Sequence, residues 1–275
     1  MDELADIFDK IPWTSFGRKT PISELSRSIV PVGNYSLDNI RKPLETTSNQ
    51  DSDFENWILD IEGTAFQVGR GKLLTCRHVC KELKVKNGQA YMLSNSIVRG
   101  TQAKVSHAIT TWIGFADPRF RANNPNVDAG LIICPIRDSP EMPYDVPVVR
   151  WGDSTQLGVG DRVLIGGFPL GKDMFVTNTT NRGLVQPTFY DGIISAILPA
   201  TKPKETRLLQ ISSVAMGGIS GGVVCCPDTG FVLGMVTSGI TSGGVSLPIT
   251  YAIPSEVLQP WSDAVNFTAA GEIWR

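Results

Sequence analysis

Residues 217–222 read Gly-Gly-Ile-Ser-Gly-Gly, and this segment guides the interpretation of the whole chain. A serine hydroxyl is a poor nucleophile by itself, so a catalytic serine needs a neighbouring base and amide donors aimed at the developing oxyanion. Glycines before Ser220 allow the tight turn that directs the Gly218 and Ser220 amides to one point, and glycines after it leave room for a substrate. The same residues also suit a plain flexible turn, so the segment needs support from elsewhere.

The histidines limit the choice of base, because the chain has only His78 and His107. Residues 218–222 also fit the G-x-S-x-G nucleophile elbow of α/β-hydrolases, in which the catalytic histidine follows the serine along the chain. No histidine follows Ser220, so that interpretation fails. His78 ends an apolar, strand-like run. His107 does not lie in such a setting and is predicted to be an ordinary strand residue.

Asp128 is the carboxylate that best suits His78. It opens the run DAGLII at residues 128–133, which otherwise reads as a buried strand. A carboxylate there costs free energy unless it is paired, and the ring N–H of a neutral histidine is a suitable partner. An aspartate that merely starts a strand is the commoner situation. With that alternative open, the sequence predicts Ser220 as nucleophile, His78 as general base and Asp128 as the group that orients the histidine.

Short apolar runs rich in Val, Ile and Thr follow one another from Trp57 onward, separated by Gly, Pro, Asn and Asp. Such runs at a spacing of about 8 to 12 residues, without long helical periodicity between them, indicate an all-β barrel or sandwich. Four prolines between residues 135 and 147 mark the expected crossover between two halves. We expect an N-terminal extension at 1–55, a first β-unit at 56–140, a second at 141–258 and a C-terminal tail at 259–275.

The predicted extension contains one short amphipathic helix, because apolar residues occur there at the i, i+3, i+4, i+7 spacing. Its members are Leu4, Ile7, Phe8 and Ile11, and a polar stretch follows at residues 36–53. A docking arm, an inhibitory prosegment and a simple lead-in are all compatible with this composition.

Composition and charge exclude several classes of protein. The 275 residues are 41% hydrophobic and 19% charged, which is ordinary for a globular chain with a real core. Twenty-seven acidic and 25 basic residues give a net charge of −2, and no basic run with interleaved aromatics indicates a nucleic-acid partner. The start MDELADIFDK lacks the features of a secretory signal, and no apolar run reaches the roughly 18 residues of a membrane span. We therefore expect a cytoplasmic protein.

The five cysteines predict reduced core thiols rather than a disulfide framework or a zinc site. Two of them flank His78 and two follow the nucleophile, but neither pair has the spacing of a common zinc arrangement. They are Cys76, Cys80, Cys134, Cys225 and Cys226. We expect neither a metal nor an organic cofactor.

The residues around the predicted triad resemble the trypsin-like peptidases of the chymotrypsin fold. Residues 74–78 (LTCRH) are similar to the L-T-A-x-H motif of that family, residues 128–131 (DAGL) to its D-x-A-L strand, and residues 218–222 (GISGG) to its G-x-S-G-G. The order His, Asp, Ser is also the same. The resemblance implies two six-stranded antiparallel β-barrels with the active site in the cleft between them.

Within that family the chain resembles the HtrA (Deg) branch most, over about residues 58 to 258. The likeness rests on segments of the second half that are similar to motifs of this branch. They are residues 151–154 (WGDS), 157–163 (LGVGDRV), 167–171 (GFPLG), 191–195 (DGIIS), 209–212 (LQIS) and 251–255 (YAIPS). Members of this branch usually carry a PDZ domain after this region, and we expect none within the 275 residues.

The resemblance also implies where a substrate binds. The walls of the pocket for the residue before the scissile bond correspond to Val214, Ala215, Met216 and Gly217, to Thr237, Ser238 and Gly239, and to Ile249. Val214 stands where a trypsin has the aspartate that attracts Lys or Arg, so a small or medium aliphatic residue is expected. Ile219 replaces the aspartate that receives a freed N-terminus in secreted trypsins, so activation by that salt bridge is not expected.

The implied function is that of a serine endopeptidase, a hydrolase that cleaves protein or peptide substrates through an acyl-enzyme. The amides of Gly218 and Ser220 would form its oxyanion hole. A catalytically silent trypsin-like domain that binds proteins stays open as an alternative because of Ile219. So does a tightly regulated protease whose residues 1–55 dock a regulatory partner or inhibit, and members of the HtrA branch commonly form homo-oligomers.

Overall fold

The computed structural model describes residues 20–33, 61–83, 91–94, 112–115, 121–124, 126–133, 147–171, 187–199, 206–267 and 273–274. The first β-unit contains β1 (Ile29–Gly33), β2 (Ile61–Gly69), β3 (Lys72–Thr75), β4 (Tyr91–Ser94), β5 (Trp112–Phe115), β6 (Arg121–Asn123) and β7 (Gly130–Ile133). The second contains β8 (Arg162–Gly167), β9 (Thr188–Leu198), β10 (Leu208–Ile211), β11 (Val223–Cys225), β12 (Val232–Ser242) and β13 (Val245–Pro254). The described helices are α1 (Pro21–Ser26), α2 (Arg77–Glu82), α3 (Ser255–Ala264) and a 3-10 helix at Ser154–Gln156. The antiparallel pair β14 (Asn266–Phe267) and β15 (Ile273–Trp274) completes the described elements.

The first unit is a seven-stranded antiparallel sheet in the order β5-β4-β1-β2-β3-β7-β6. Six strands were expected here, and the short β6 adds a seventh by pairing with β7 at the edge. Strand β1 lies between β2 and β4, and all five of its residues are buried. It falls within residues 1–55, which the sequence assigned to an extension, and the helix predicted over residues 4–11 lies outside the described residues.

The second unit is a closed six-stranded barrel in the order β10-β13-β12-β11-β8-β9, as the sequence predicted. Alternation along its strands separates core from surface: Ile193 is exposed and Ile194 is fully buried on β9. Ile165, Leu209 and Ile211 join Ile194 in the barrel interior. The all-β expectation is confirmed, since branched apolar residues at every second position suit a half-buried strand.

The two units meet along β2, which places the start of the first unit against the second. The rings of Phe66 and Trp151 contact edge to face with centroids 5.9 Å apart. The N–H of Val149 donates to the Gln67 carbonyl oxygen at 2.8 Å, so the chain entering the second unit is held on β2. The predicted crossover at residues 135–147 lies outside the described residues except for Pro147.

The region that follows the second barrel packs against both units and does not form a separate tail. Helix α3 begins at Ser255, whose buried hydroxyl donates to the Gly152 carbonyl and accepts from the Ser154 N–H. Arg207 pairs with Glu256 beside it, and the Lys72 ammonium donates to the Ser262 carbonyl at 2.8 Å. Among the described helices, none has both the length and the apolar character that crossing a membrane requires.

Candidate active site

His78 is presented at the start of α2, immediately after β3 ends at Thr75. The next two residues, Val79 and Cys80, are buried and hold the helix against the sheet, which turns the His78 side chain outward. About half of that side chain, 48%, is exposed. The helix therefore fixes the imidazole at the surface of the first unit, where a substrate can reach it.

Asp128 lies in the short loop that leads into β7. The side-chain oxygen of Asn124 accepts hydrogen bonds from the N–H groups of Asn126 and Val127, which shapes this loop. The Arg77 guanidinium donates to the Asn124 carbonyl at 3.1 Å and joins the loop to α2. These local contacts bring Asp128 to the histidine from a position 50 residues further along the chain.

Asp128 holds His78 at two points. Its Oδ2 lies 2.6 Å from His78 Nδ1, and its Oδ1 accepts from the His78 backbone N–H at 3.0 Å. The Thr237 hydroxyl also donates to Oδ2, at 2.8 Å. Because Nδ1 is bound by the carboxylate, the imidazole is oriented and its Nε2 is left for a proton transfer.

The pKa of Asp128 reflects these contacts. Partial burial raises the pKa, but hydrogen bonds from the His78 ring, the Thr237 hydroxyl and the His78 backbone outweigh it, and the pKa falls from 3.8 to about 2. The carboxylate is therefore ionised at any pH above about 4. A fixed negative charge beside the ring favours the imidazolium that general-base catalysis creates.

Ser220 lies in the turn before β11, and two glycines make that turn feasible. Gly218 and Gly221 have φ angles of +88° and +86°, in the left-handed region that favours glycine. A Cβ on Gly221 would also collide with the Thr64 carbonyl oxygen. The tight turn that the sequence predicted around Ser220 is thus present, and it is pressed against β2.

Thr237 connects the serine to the aspartate. Its carbonyl oxygen lies 3.5 Å from the Ser220 hydroxyl, which donates to it, while its own hydroxyl binds Asp128. Within the part of the chain that the structure describes, no hydrogen bond joins the Ser220 hydroxyl to the His78 ring. Ser220 and Asp128 therefore both contact Thr237, which the sequence had assigned only to a pocket wall, and His78 joins them through Asp128.

The amides of the turn divide into two sets. The N–H groups of Ile219, Gly221 and Gly222 donate to the carbonyl groups of Met216, Val236 and Ile219. The N–H groups of Gly218 and Ser220 donate to no acceptor among the described residues. Two free donors on either side of one residue are what an oxyanion hole requires, and they are the pair that the sequence predicted.

The carbonyl groups of the turn are held away from those free amides. The Gly217 oxygen accepts from the Leu170 N–H at 2.6 Å, and the Gly218 oxygen accepts from the Thr64 hydroxyl at 2.7 Å. In a trans peptide the carbonyl and the following N–H point in opposite directions. Anchoring the Gly217 carbonyl on Leu170 therefore turns the Gly218 N–H to the other side of the peptide.

The segments of the predicted pocket lie together. A Cβ on Gly239 would be 2.6 Å from the Ala215 Cβ, so the two facing walls are in close contact. Thr250, which follows Ile249 on β13, pairs with Gly239 and donates its hydroxyl to the Ser213 carbonyl beside Val214. Met216, Gly217 and Ser238 are exposed at the rim.

Cys76, His78 and Asp128 have ligand atoms within 4.8 Å of one another, which is compact enough for a metal ion. The Cys76 thiol donates to the Val236 carbonyl at 3.2 Å, and burial, with the charge of Asp128, raises its pKa well above the usual value. Metal binding needs a thiolate, so this neutral thiol suits a core residue better. The other described cysteines, Cys80, Cys225 and Cys226, also form no disulfide. Cys134 and His107 lie outside the described residues.

Comparison with known families agrees with this geometry. A family model described as the trypsin-like peptidase domain matches residues 63–235, which contain His78, Asp128 and Ser220. The chain belongs to the trypsin-like peptidase family.

Within that family, the chain is similar to proteases of the HtrA type. It is 29% identical over 196 residues to the serine protease Do-like HtrA of Bacillus subtilis, and it is 27% identical over 171 residues to the magnetosome formation protease MamE of Paramagnetospirillum magneticum. These matches cover 70% and 62% of this chain but only 39% and 21% of the two relatives.

Solved structures of HtrA-type proteases share the fold. The HtrA-type protease AlgW with a decapeptide superposes with a TM-score of 0.59 at 17% identity, covering 89% of this chain and 66% of that one. AlgW with a tripeptide gives a TM-score of 0.55 at 19% identity, covering 86% and 59%. The predicted family and its two-unit β-fold are confirmed.

Proposed function

We propose that the protein is a serine endopeptidase that hydrolyses peptide bonds in protein or peptide substrates through Ser220, His78 and Asp128. The observation that carries the proposal is the two-point contact between Asp128 and His78, at the ring Nδ1 and at the backbone N–H. A carboxylate that only started a strand would have no reason to hold a half-exposed imidazole in one orientation. Membership of the trypsin-like peptidase family supports the same activity.

In this mechanism the Ser220 hydroxyl turns from the Thr237 carbonyl toward His78 as the substrate binds. Nε2 takes the proton while Oγ attacks the peptide carbonyl, and the Gly218 and Ser220 amides bind the oxyanion. The proton then passes from the imidazolium to the leaving amine. Water hydrolyses the acyl-enzyme by the same route, with His78 again acting as base.

The substrate class is proposed from the pocket. The contact between Gly239 and Ala215, together with apolar Val214 and Ile249, supports a small aliphatic residue before the scissile bond. The structural neighbours named as AlgW complexes hold a tripeptide and a decapeptide, which supports a peptide ligand here as well. The free thiols support a reducing, cytoplasmic setting.

A fluorophosphonate probe, read by intact mass, tests the activity directly. We expect the wild type to gain one adduct on Ser220, and Ser220→Ala and His78→Ala to gain none. Ser246→Ala, which alters an exposed serine on β13, serves as the matched control and should label like the wild type. Labelling that survives in Ser220→Ala would refute the assignment of the nucleophile.

One observation favours a second candidate, a catalytically silent domain that binds peptides. The Ser220 hydroxyl donates to the Thr237 carbonyl rather than to the His78 ring in the described structure. For this candidate we expect a folded wild type that never labels but binds a fluorescent casein peptide by polarisation. Cleavage of that peptide, lost in Ser220→Ala, would eliminate it.

A further inference from the structure

Thr64, on β2 of the first unit, makes an unusual set of contacts to the second unit. It is fully buried. Its N–H donates to the Ser220 carbonyl at 2.8 Å, and its hydroxyl donates to the Gly218 carbonyl at 2.7 Å. The same hydroxyl accepts from the Phe168 N–H at 3.0 Å, and the Thr64 carbonyl accepts from the Thr75 hydroxyl at 2.6 Å. Every polar atom of Thr64 therefore takes part in a hydrogen bond.

These contacts fix the peptide planes on both sides of the nucleophile. The Gly218 carbonyl defines the plane between Gly218 and Ile219, and the Ser220 carbonyl defines the plane between Ser220 and Gly221. Both oxygens are held by a single residue of the opposite unit. The peptide that carries the free Ser220 N–H lies between these two anchored planes, so Thr64 limits how that amide can turn.

The turn has little room in which to relax. A Cβ on Gly63 would lie 2.9 Å from the Ser220 oxygen, and a Cβ on Gly167 would lie 2.9 Å from the Thr64 hydroxyl oxygen. The hydroxyl also joins the turn to Phe168, two residues before Leu170, whose N–H holds the Gly217 carbonyl. Loss of the hydroxyl would therefore disturb the contacts on both sides of the free Gly218 amide.

We propose that Thr64 is a positioning residue for the nucleophile turn, and that its hydroxyl keeps the Gly218 and Ser220 amides directed at the oxyanion. The catalytic part of this inference rests on the proposed peptidase function. Thr64 acts through the turn and does not itself touch the reacting atoms. A misplacement of about 1 Å at a reacting centre can lower a rate about 100-fold, so the effect of Thr64 is measurable.

The comparison of Thr64→Ala with Thr64→Ser isolates the hydroxyl, because both variants lack the methyl group. Ser255→Ala is the matched control: it also removes a buried hydroxyl that bridges a carbonyl and an N–H, but beside α3. The fluorophosphonate reaction gives kinact and KI, and the thermal midpoint reports stability. We expect kinact to fall about 10- to 100-fold in Thr64→Ala with KI unchanged. Thr64→Ser should keep kinact within about threefold of the wild type, and Ser255→Ala should lower only the thermal midpoint.

Hydrogen exchange of the segment 216–223 provides a readout that does not depend on activity. The bonded amides of Ile219, Gly221 and Gly222 should exchange faster in Thr64→Ala than in Thr64→Ser. If the wild type labels, equal kinact in these two variants overturns the positioning role while the peptidase function stands. If the wild type never labels, the peptidase function fails, and equal exchange in the two variants overturns the hold of Thr64 on the turn.

Discussion

The substitution Asp128→Asn tests the predicted catalytic geometry most directly, because it changes charge and donor pattern without changing shape. Asp128 accepts three hydrogen bonds, from the His78 ring, the His78 backbone and the Thr237 hydroxyl. An asparagine has one oxygen and one NH₂ group to meet these three donors. One of the donors must therefore rearrange or lose its partner.

The backbone contact decides which way the asparagine faces. Its oxygen must accept from the His78 backbone N–H, since an NH₂ group there would oppose another donor and leave a hydrogen bond unmade. The NH₂ group then faces His78 Nδ1 and donates to it, so the ring carries its own proton on Nε2. That tautomer cannot take the Ser220 proton, and the charge that stabilises the imidazolium is gone. We expect kinact to fall about 10⁴-fold, or about 5.5 kcal/mol of activation free energy.

The rate of fluorophosphonate labelling, followed by intact mass, measures this loss. Asp191→Asn is the matched control, because Asp191 is an exposed acid that pairs with Arg162 on the surface of the second barrel. The control should label at the wild-type rate. Labelling of Asp128→Asn within about tenfold of the wild type, with the thermal midpoint preserved, would refute the role assigned to Asp128.

Two further predictions concern stability. Gly221→Ala should lower the free energy of unfolding by about 3 kcal/mol or more, because φ is positive there and a Cβ would collide with the Thr64 carbonyl. Gly243 also has a positive φ but open space around it, so Gly243→Ala should lower the free energy of unfolding by only about 1 kcal/mol. Equal losses in urea titrations would contradict the packing argument. The folded state lowers the pKa of Asp128 to about 2. The ionised carboxylate therefore adds to the free energy of unfolding above about pH 4, and this stabilisation is lost as the pH falls toward 2. The wild type should thus lose roughly 1 to 2 kcal/mol more than Asp128→Asn between pH 5 and 2 in denaturant titrations, and parallel curves would count against the ionised pair.

The fold class could be predicted because its signal is local. Short runs of branched apolar residues alternate between core and surface, as Ile193 and Ile194 show, and punctuating glycines and prolines separate them. The order of pairing is not local in this sense. That β1 lies between β2 and β4, or that β6 adds to the edge beside β7, depends on contacts between distant segments that no periodicity records.

The candidate site was predictable where chemistry constrains residue type. A base, its carboxylate partner and a serine flanked by glycines left few choices in a chain with two histidines. Thr64 and Thr237 supply the contacts that bring these residues together, yet a threonine in a strand is ordinary, so the sequence carries little signal for their roles. The one clue for Thr64 was a polar residue inside a run that otherwise reads as buried, in GTAF at residues 63–66.

Strand β1 changes how the first residues of the chain should be tested. Removal of residues 1–53 would not test an inhibitory or docking arm by itself, because it would also delete a strand with neighbours on both sides. Ile29 and Val30 are fully buried and pair with Phe66 and Ala65, directly beside Thr64. Loss of β1 would expose the edge of β2 opposite the one on which Thr64 holds the nucleophile turn, so lost activity would report a broken sheet. A truncation that ends before Thr20 leaves α1 and β1 in place, and any change in activity then belongs to the residues that precede them.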